Sequence, residues 1–159
     1  MKDKTNVMRI LDQNKIEYKS YNYVKSGVIS GIEVAKYLNI DENKTFKTLV
    51  TVSNSKKYYV FLVPVNKELD LKKAAKITNE KSIEMVKSKD LLNLTGYIHG
   101  GCSPIGMKKQ FPTIINDSAL SFDTIIFSAG RIGYQLEVKL EDLSKILKYN
   151  CFDIIVNNN

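Results

Sequence analysis

One segment concentrates residue types that could act on an anion or a polarised carbonyl: Gly96-Tyr97-Ile98-His99-Gly100-Gly101-Cys102-Ser103-Pro104-Ile105-Gly106-Met107-Lys108-Lys109-Gln110-Phe111-Pro112-Thr113. Adjacent glycines let a backbone approach a ligand closely and aim N–H groups at it, while Pro104 stiffens the turn. Such a loop suits an ester or oxyanion pocket, and its composition suits a tight structural turn as well. Neither a phosphate-binding GxxxxGK[ST] loop nor a dinucleotide GxGxxG loop is present. Cys102, three residues after His99, invites a Cys–His nucleophile. That spacing on an irregular loop establishes no hydrogen bond, and the ordinary role of such a cysteine is that of a small buried hydrophobe.

Lys47 lies within Thr45-Phe46-Lys47-Thr48-Leu49-Val50, where strand alternation points its side chain away from those of Phe46 and Thr48. On a cavity wall its ammonium would anchor a carboxylate, carbonyl or phosphate; on a solvated face it is surface charge. The pairs Lys56-Lys57, Lys72-Lys73 and Lys108-Lys109 form a footprint for RNA phosphates if they share a face, and scattered solubilising charge otherwise. The tyrosines follow no single-strand RNA-binding motif, and no acid–base pair of carboxylates stands out. A single histidine, His99, and two cysteines, Cys102 and Cys151, remove most parts of a His-based triad or a multi-histidine metal site.

The elements that must position these groups form a mixed pattern. Thr5 caps an expected helix to about Asn14, with Val7, Met8, Ile10 and Leu11 on one stripe. A short strand over Ile16–Tyr23, a loop at Ser26-Gly27 and Ser30-Gly31, and a helix from Gly31 to about Asn39 follow. The β-branched and aromatic runs Phe46–Val52 and Lys57–Val65, split by Ser53-Asn54-Ser55-Lys56, read as a hairpin. A helix over Leu71–Ile77, a strand over Ser82–Val86, a helix over Ser88–Leu94 and a strand at Pro112–Ile115 come next. A second hairpin, Phe122–Ser128 with Tyr134–Val138, turns around Ala129-Gly130-Arg131-Ile132-Gly133. The pattern closes with a helix over Leu140–Lys148, a last strand Phe152–Val156 that makes Cys151 a core residue, and a frayed Asn157-Asn158-Asn159 tail.

The 159 residues and 18.1 kDa suit one compact domain over 1–159, and 43% hydrophobic with 26% charged residues excludes disorder and disulfide-scaffold classes. With no steady βαβ rhythm, the expected fold class is α+β: a single domain with a curved, mixed, barrel-like sheet core flanked by helices. A net charge of +7 favours a polyanionic partner. No stretch has the apolar core of a signal peptide or the roughly 18 apolar residues of a membrane span, so a cytoplasmic protein with reduced thiols and no membrane association is expected.

From about residue 5 to 156 the chain resembles the YbaK/EbsC family, relatives of the editing domain of bacterial prolyl-tRNA synthetases. Gly100-Gly101-Cys102-Ser103-Pro104-Ile105-Gly106-Met107-Lys108-Lys109 with Pro112-Thr113 matches the family's GG-x-SP-x-G-x-KK-x-x-PT signature. Phe46-Lys47-Thr48-Leu49, Pro64-Val65, Leu69-Asp70-Leu71-Lys72-Lys73 and Ser128-Ala129-Gly130-Arg131-Ile132-Gly133 follow in the family's order. The resemblance implies an aminoacyl-tRNA deacylase that hydrolyses the ester of a mischarged amino acid, typically Cys or Ala, on tRNA for proline. It makes Lys47 the functional lysine, holding the terminal adenosine or its phosphate. Gly100 and Gly101 become backbone contacts to the aminoacyl carbonyl, with Ser128 and Gly130 on the pocket rim and Tyr21 an aromatic near the substrate. Thr48, Cys102, Ser103 and Gln135 complete the implied substrate-binding set, with Cys102 as pocket lining. In relatives acting on cysteinyl-tRNA the substrate thiol attacks its own ester carbonyl, so no enzymic nucleophile is implied. No metal-ligand set accompanies the motif, so action without metal or cofactor is expected.

Two features depart from the family pattern. Gln135 stands where some relatives carry Asp, so its side chain can only hydrogen-bond. Val24–Ile29 matches relatives poorly in a region that shapes the amino-acid pocket. The implied partners are the 3′ end of mischarged tRNA and prolyl-tRNA synthetase as the source of tRNA specificity. Competing readings are a non-catalytic tRNA- or synthetase-binding module, a generic RNA binder, and a thioesterase or amidase that uses Cys102.

Overall fold

The computed structural model describes residues 4–28 and 30–157. Helix α1 (Asn6–Gln13) starts where Thr5 Oγ1 accepts the Met8 N–H, and it buries Val7, Met8 and Leu11. Strand β1 (Tyr18–Asn22) leads through a 3-10 turn at Val24–Ser26 to α2 (Gly31–Leu38). Ser30 caps α2 by accepting the Glu33 N–H, and Asn39 ends it in the left-handed region at φ 56°.

Strands β2 (Phe46–Ser53) and β3 (Tyr58–Pro64) form the expected hairpin, in register from Phe46 opposite Pro64 to Val52 opposite Tyr58. Asp70 caps α3 (Leu71–Ile77) through its carboxylate, which accepts the N–H groups of Lys72 and Lys73. Strand β4 (Ile83–Met85), α4 (Ser88–Thr95) and β5 (Thr113–Asn116) follow. The chain then forms β6 (Thr124–Ser128), β7 (Tyr134–Lys139), α5 (Leu140–Leu143) and β8 (Tyr149–Phe152).

The expected α+β class with a mixed core is observed, and that core is divided between two sheets. One has the order β1-β7-β6; the other has the order β4-β2-β3-β5-β8, antiparallel at β2/β3 and parallel across β3, β5 and β8. They meet at an isolated parallel bridge between Thr45 and Ile126. Strand β3 shows why its sequence is apolar without alternation. Val60 and Leu62 face the large core shared with α1 and the three-stranded sheet, whereas Tyr59, Phe61 and Val63 face a second core under α3.

The C-terminal expectations are corrected. The helix over Leu140–Lys148 is only Leu140–Leu143, because Lys145 N–H bonds Asp142 O and Ile146 N–H bonds Leu143 O, three residues back, tightening the chain into turns. Leu143 and Leu147 are still buried. The last strand is Tyr149–Phe152, not Phe152–Val156, since Asn116 Oδ1 takes the Ile154 N–H and draws the fully buried Ile154 into the second core. Cys151 therefore lies within β8 and is half-buried. Of the expected Val24–Ile29 segment and the tail, Ile29, Asn158 and Asn159 lie outside the described residues.

Candidate active site

A cleft of about 410 Å³ opens where the two sheets meet. Strand β2 gives it Phe46, Lys47, Thr48 and Leu49; the β6–β7 hairpin gives Ser128 and Gln135; the glycine loop gives His99, Gly100 and Cys102. Tyr23, Val65, Leu91 and the start of α2, Ser30 and Gly31, complete it. A Cβ on Gly31 would stand 2.5 Å from Val65 Cγ1, so only glycine lets α2 begin against this wall. The N-terminal end of α2 thereby adds a positive dipole end to the cleft.

Lys47 is the one Lys or Arg among the lining residues, and its side chain is 31% exposed. Its Nζ lies 3.5 Å from Oε2 of Glu68, a carboxylate that is itself mostly in solvent. Of the site residues expected from sequence, Lys47, Thr48, Gly100, Cys102, Ser128 and Gln135 share the cleft. Gly101, Ser103, Gly130 and Tyr21 do not line it. Gly101 N–H is engaged by Ile98 O at 2.9 Å, which leaves His99, Gly100 and Cys102 as the loop residues that line the cleft. A Cβ on Gly101 would fall 3.0 Å from Ile132 N, so this glycine lets the 98–106 loop press against the 129–133 turn.

Ser103 is fully buried and its Oγ accepts the Ile105 N–H, shaping the turn at Pro104. Gly130 sits at φ 94°, and its N–H bonds Ser128 Oγ at 3.1 Å, which orients that hydroxyl. Tyr21 donates its hydroxyl to Glu137 Oε1 at 2.6 Å. Glu137 also accepts from Thr124 Oγ1 and pairs with Lys44 Nζ at 2.9 Å. Burial works to raise the Glu137 carboxyl, but the hydrogen bonds from Thr124, Tyr21 and Lys44 outweigh it and hold the group down at about 2.

Cys102 and His99 both line the cleft. Burial pushes the Cys102 thiol up to about 12, so the sulfur is protonated near neutral pH and is a poor nucleophile. Among the described residues no group of three or more His, Cys, Asp or Glu side chains is placed to hold a metal ion. Sequence reasoning left Tyr23, Gly31, Val65 and Leu91 out of the site, although the β-strand period and the Ser30-Gly31 helix start were legible. A larger depression of about 510 Å³ between β4 and α4 carries none of the expected site residues.

A family model described as the aminoacyl-tRNA editing domain matches residues 28–146. The chain belongs to this family. This editing domain is 50% identical, over 87% of its length and 85% of the relative's, to a protein of Enterococcus faecalis provisionally named Cys-tRNA(Pro)/Cys-tRNA(Cys) deacylase EbsC. It is 25% identical to a proline–tRNA ligase of Nitrosomonas eutropha over 77% of its own length and 21% of the ligase. A solved structure provisionally described as a trans-editing enzyme for prolyl tRNA synthetase has the same fold, at a TM-score of 0.82 and 18% identity over 98% of this chain and 100% of that one. The editing domain has no helix among its described residues long and apolar enough to cross a membrane.

Proposed function

We propose that the protein is a trans-editing aminoacyl-tRNA deacylase, with Cys-tRNA(Pro) its main substrate and Cys-tRNA(Cys) and Ala-tRNA(Pro) alternative ones. A synthetase gains only about 1–3 kcal/mol of discrimination from one missing methylene, which is why a second, hydrolytic site is needed. The observation that carries the reading is the cleft itself. It joins Lys47, the Gly100 backbone and the α2 N-terminus while its one thiol is kept protonated. A site of this size takes an aminoacylated ribose rather than the body of a tRNA.

In this reading Lys47 anchors the terminal nucleotide and the backbone donors polarise the ester carbonyl. Water adds to the carbonyl carbon, the ester C–O bond breaks, and the ribose oxygen leaves with a proton. With a cysteinyl ester the substrate sulfur forms the new bond to the carbonyl carbon, its proton passes to the departing ribose oxygen, and water opens the resulting cyclic thioester. The partner is the mischarged tRNA 3′ end, with prolyl-tRNA synthetase supplying tRNA choice in the cytoplasm. The whole 1–159 chain acts as one editing domain, without metal or cofactor.

The test is release of amino acid from Cys-tRNA(Pro), Cys-tRNA(Cys) and Ala-tRNA(Pro) by wild type, Lys47→Ala and Cys102→Ala, each with and without a chelator. Turnover lost in Lys47→Ala, kept in Cys102→Ala and indifferent to the chelator supports the reading. Binding of tRNA without turnover by folded wild type replaces it with the non-catalytic module.

A further inference from the structure

Among the described residues, two polar atoms of the cleft lining are shut off from solvent and have no hydrogen-bond partner: Gln135 Oε1 and Thr48 Oγ1. Gln135 is only 8% exposed and sits on β7 opposite Ser128 of β6. Thr48 alternates with Lys47 on β2, so it shares the side of Phe46 and Val50, which pack in the core common to both sheets. Lys47, partly exposed and beside Glu68, stands on the other side of the strand. The cleft is thus polarised, with a cation at its outer rim and two unused oxygens on its inner wall.

Buried polar atoms are nearly always satisfied in folded proteins, so two orphans in one cleft point to a ligand that carries donors. A glutamine side-chain oxygen accepts and cannot donate, and a threonine hydroxyl can do both. A ligand that meets both atoms must therefore bring at least one strong N–H or O–H donor to the inner wall. This rests on the deacylase reading, in which the phosphate end of the substrate lies toward Lys47. The group at the inner end is then the amino acid, whose α-ammonium offers three N–H donors one bond away from the carbon that bears the ester carbonyl. A neutral amide oxygen accepts such a cation with a charge-assisted hydrogen bond.

We infer that Gln135 Oε1 and Thr48 Oγ1 receive the α-ammonium of the aminoacyl ester, which makes an unblocked amino group a specificity requirement. Acetylating the nitrogen removes the charge and leaves a single N–H, too few to satisfy the pair as before, and it adds bulk at a closed wall. The site therefore spares N-blocked esters, such as peptidyl-tRNA, and acts on free aminoacyl esters.

The experiment compares alanyl-tRNA(Pro) with N-acetylalanyl-tRNA(Pro) in single-turnover deacylation by wild type, Gln135→Leu, Gln135→Glu and Thr48→Val, with thermal melting to establish folding. For the free ester, Gln135→Leu and Thr48→Val each lower kcat/KM about tenfold or more, whereas Gln135→Glu keeps or improves it because a carboxylate is a stronger acceptor. For the acetylated ester, wild type is already slow and Gln135→Leu changes it less than twofold. Equal losses on both esters overturn the inference, because Gln135 then serves the ribose or the fold. Loss of activity in Gln135→Glu overturns it too, because the amide then donates to the substrate. A wild type that cleaves both esters equally removes this inference and leaves the deacylase reading standing; one that cleaves neither alanyl nor cysteinyl esters removes both.

Discussion

Lys47 Nζ lies 3.5 Å from Glu68 Oε2 at the mouth of the cleft, and the two side chains are 31% and 82% exposed. An anionic ligand that takes Lys47 must compete with this carboxylate. Exposed ion pairs are worth about 0–1 kcal/mol, so Glu68→Gln is expected to lower KM for aminoacyl-tRNA by up to about fivefold with little change in kcat. The difference should shrink as salt rises, because both the pair and the tRNA contact are screened. A KM unchanged at low salt would show that the tRNA never displaces Glu68.

Lys47→Ala should lower kcat/KM by roughly 10²-fold or more, the scale of misplacing the reacting ester by about 1 Å once the terminal nucleotide loses its anchor. Lys47→Arg should restore only part of the activity, since a planar guanidinium does not reproduce a compact ammonium. Melting temperatures of both variants should match wild type, because the side chain is partly in solvent. Wild-type rates in Lys47→Ala would remove this residue from the reaction.

Cys102→Ala should retain deacylation within a few-fold, and the wild-type enzyme should resist thiol alkylation at pH 7. The thiol is buried and its ionisation is pushed up to about 12. Alkylation measured against pH should become appreciable only under strongly alkaline conditions. Rapid inactivation at neutral pH would establish a reactive sulfur.

Gly101→Ala should lower both activity and stability. Its Cβ would lie 3.0 Å from Ile132 N and 3.3 Å from Arg131 Cα, and backbone cannot yield as a flexible side chain does. The two loops must separate, which costs about 1–3 kcal/mol and moves Gly100 in the cleft. Denaturant unfolding and single-turnover deacylation read the two effects. A neutral result would mean that the loops slide apart freely.

Glu137 makes the fold acid-sensitive in a defined window. Its folded ionisation lies at about 2, below its ordinary value of 4.5, so its stabilising effect is complete above about pH 5 and is lost as pH falls towards 2. Glu137→Gln should cost about 1–3 kcal/mol at pH 7, because Lys44, Tyr21 and Thr124 lose a charged partner. It should also flatten the pH dependence of stability between pH 2 and 5, as measured by thermal melting. A parallel fall in both proteins would assign the acid sensitivity to other carboxylates.

The sequence by itself determined the local elements and the chemical inventory. The β2–β3 hairpin, the Thr5, Ser30 and Asp70 helix starts and the glycine loop follow from alternation, capping and turn chemistry, which act over a few residues. Lys47 and Gly100, which share the cleft, were legible through motif spacing, and the single histidine was legible in the composition. Tertiary structure alone decided which of these groups meet. Lys47 and Gln135 are far apart in the chain and come from different sheets, and no local pattern encodes the Thr45–Ile126 bridge that joins those sheets. The same limit applies to Tyr21, whose hydroxyl is taken by Glu137, and to Gly101, whose N–H is taken by Ile98 O. The C-terminal strand shifted because Asn116, thirty-eight residues earlier, captures the Ile154 backbone. Burial, which sets the Cys102 thiol and leaves Gln135 Oε1 without a partner among the described residues, is a property of packing between elements, so it exists only once the chain has folded.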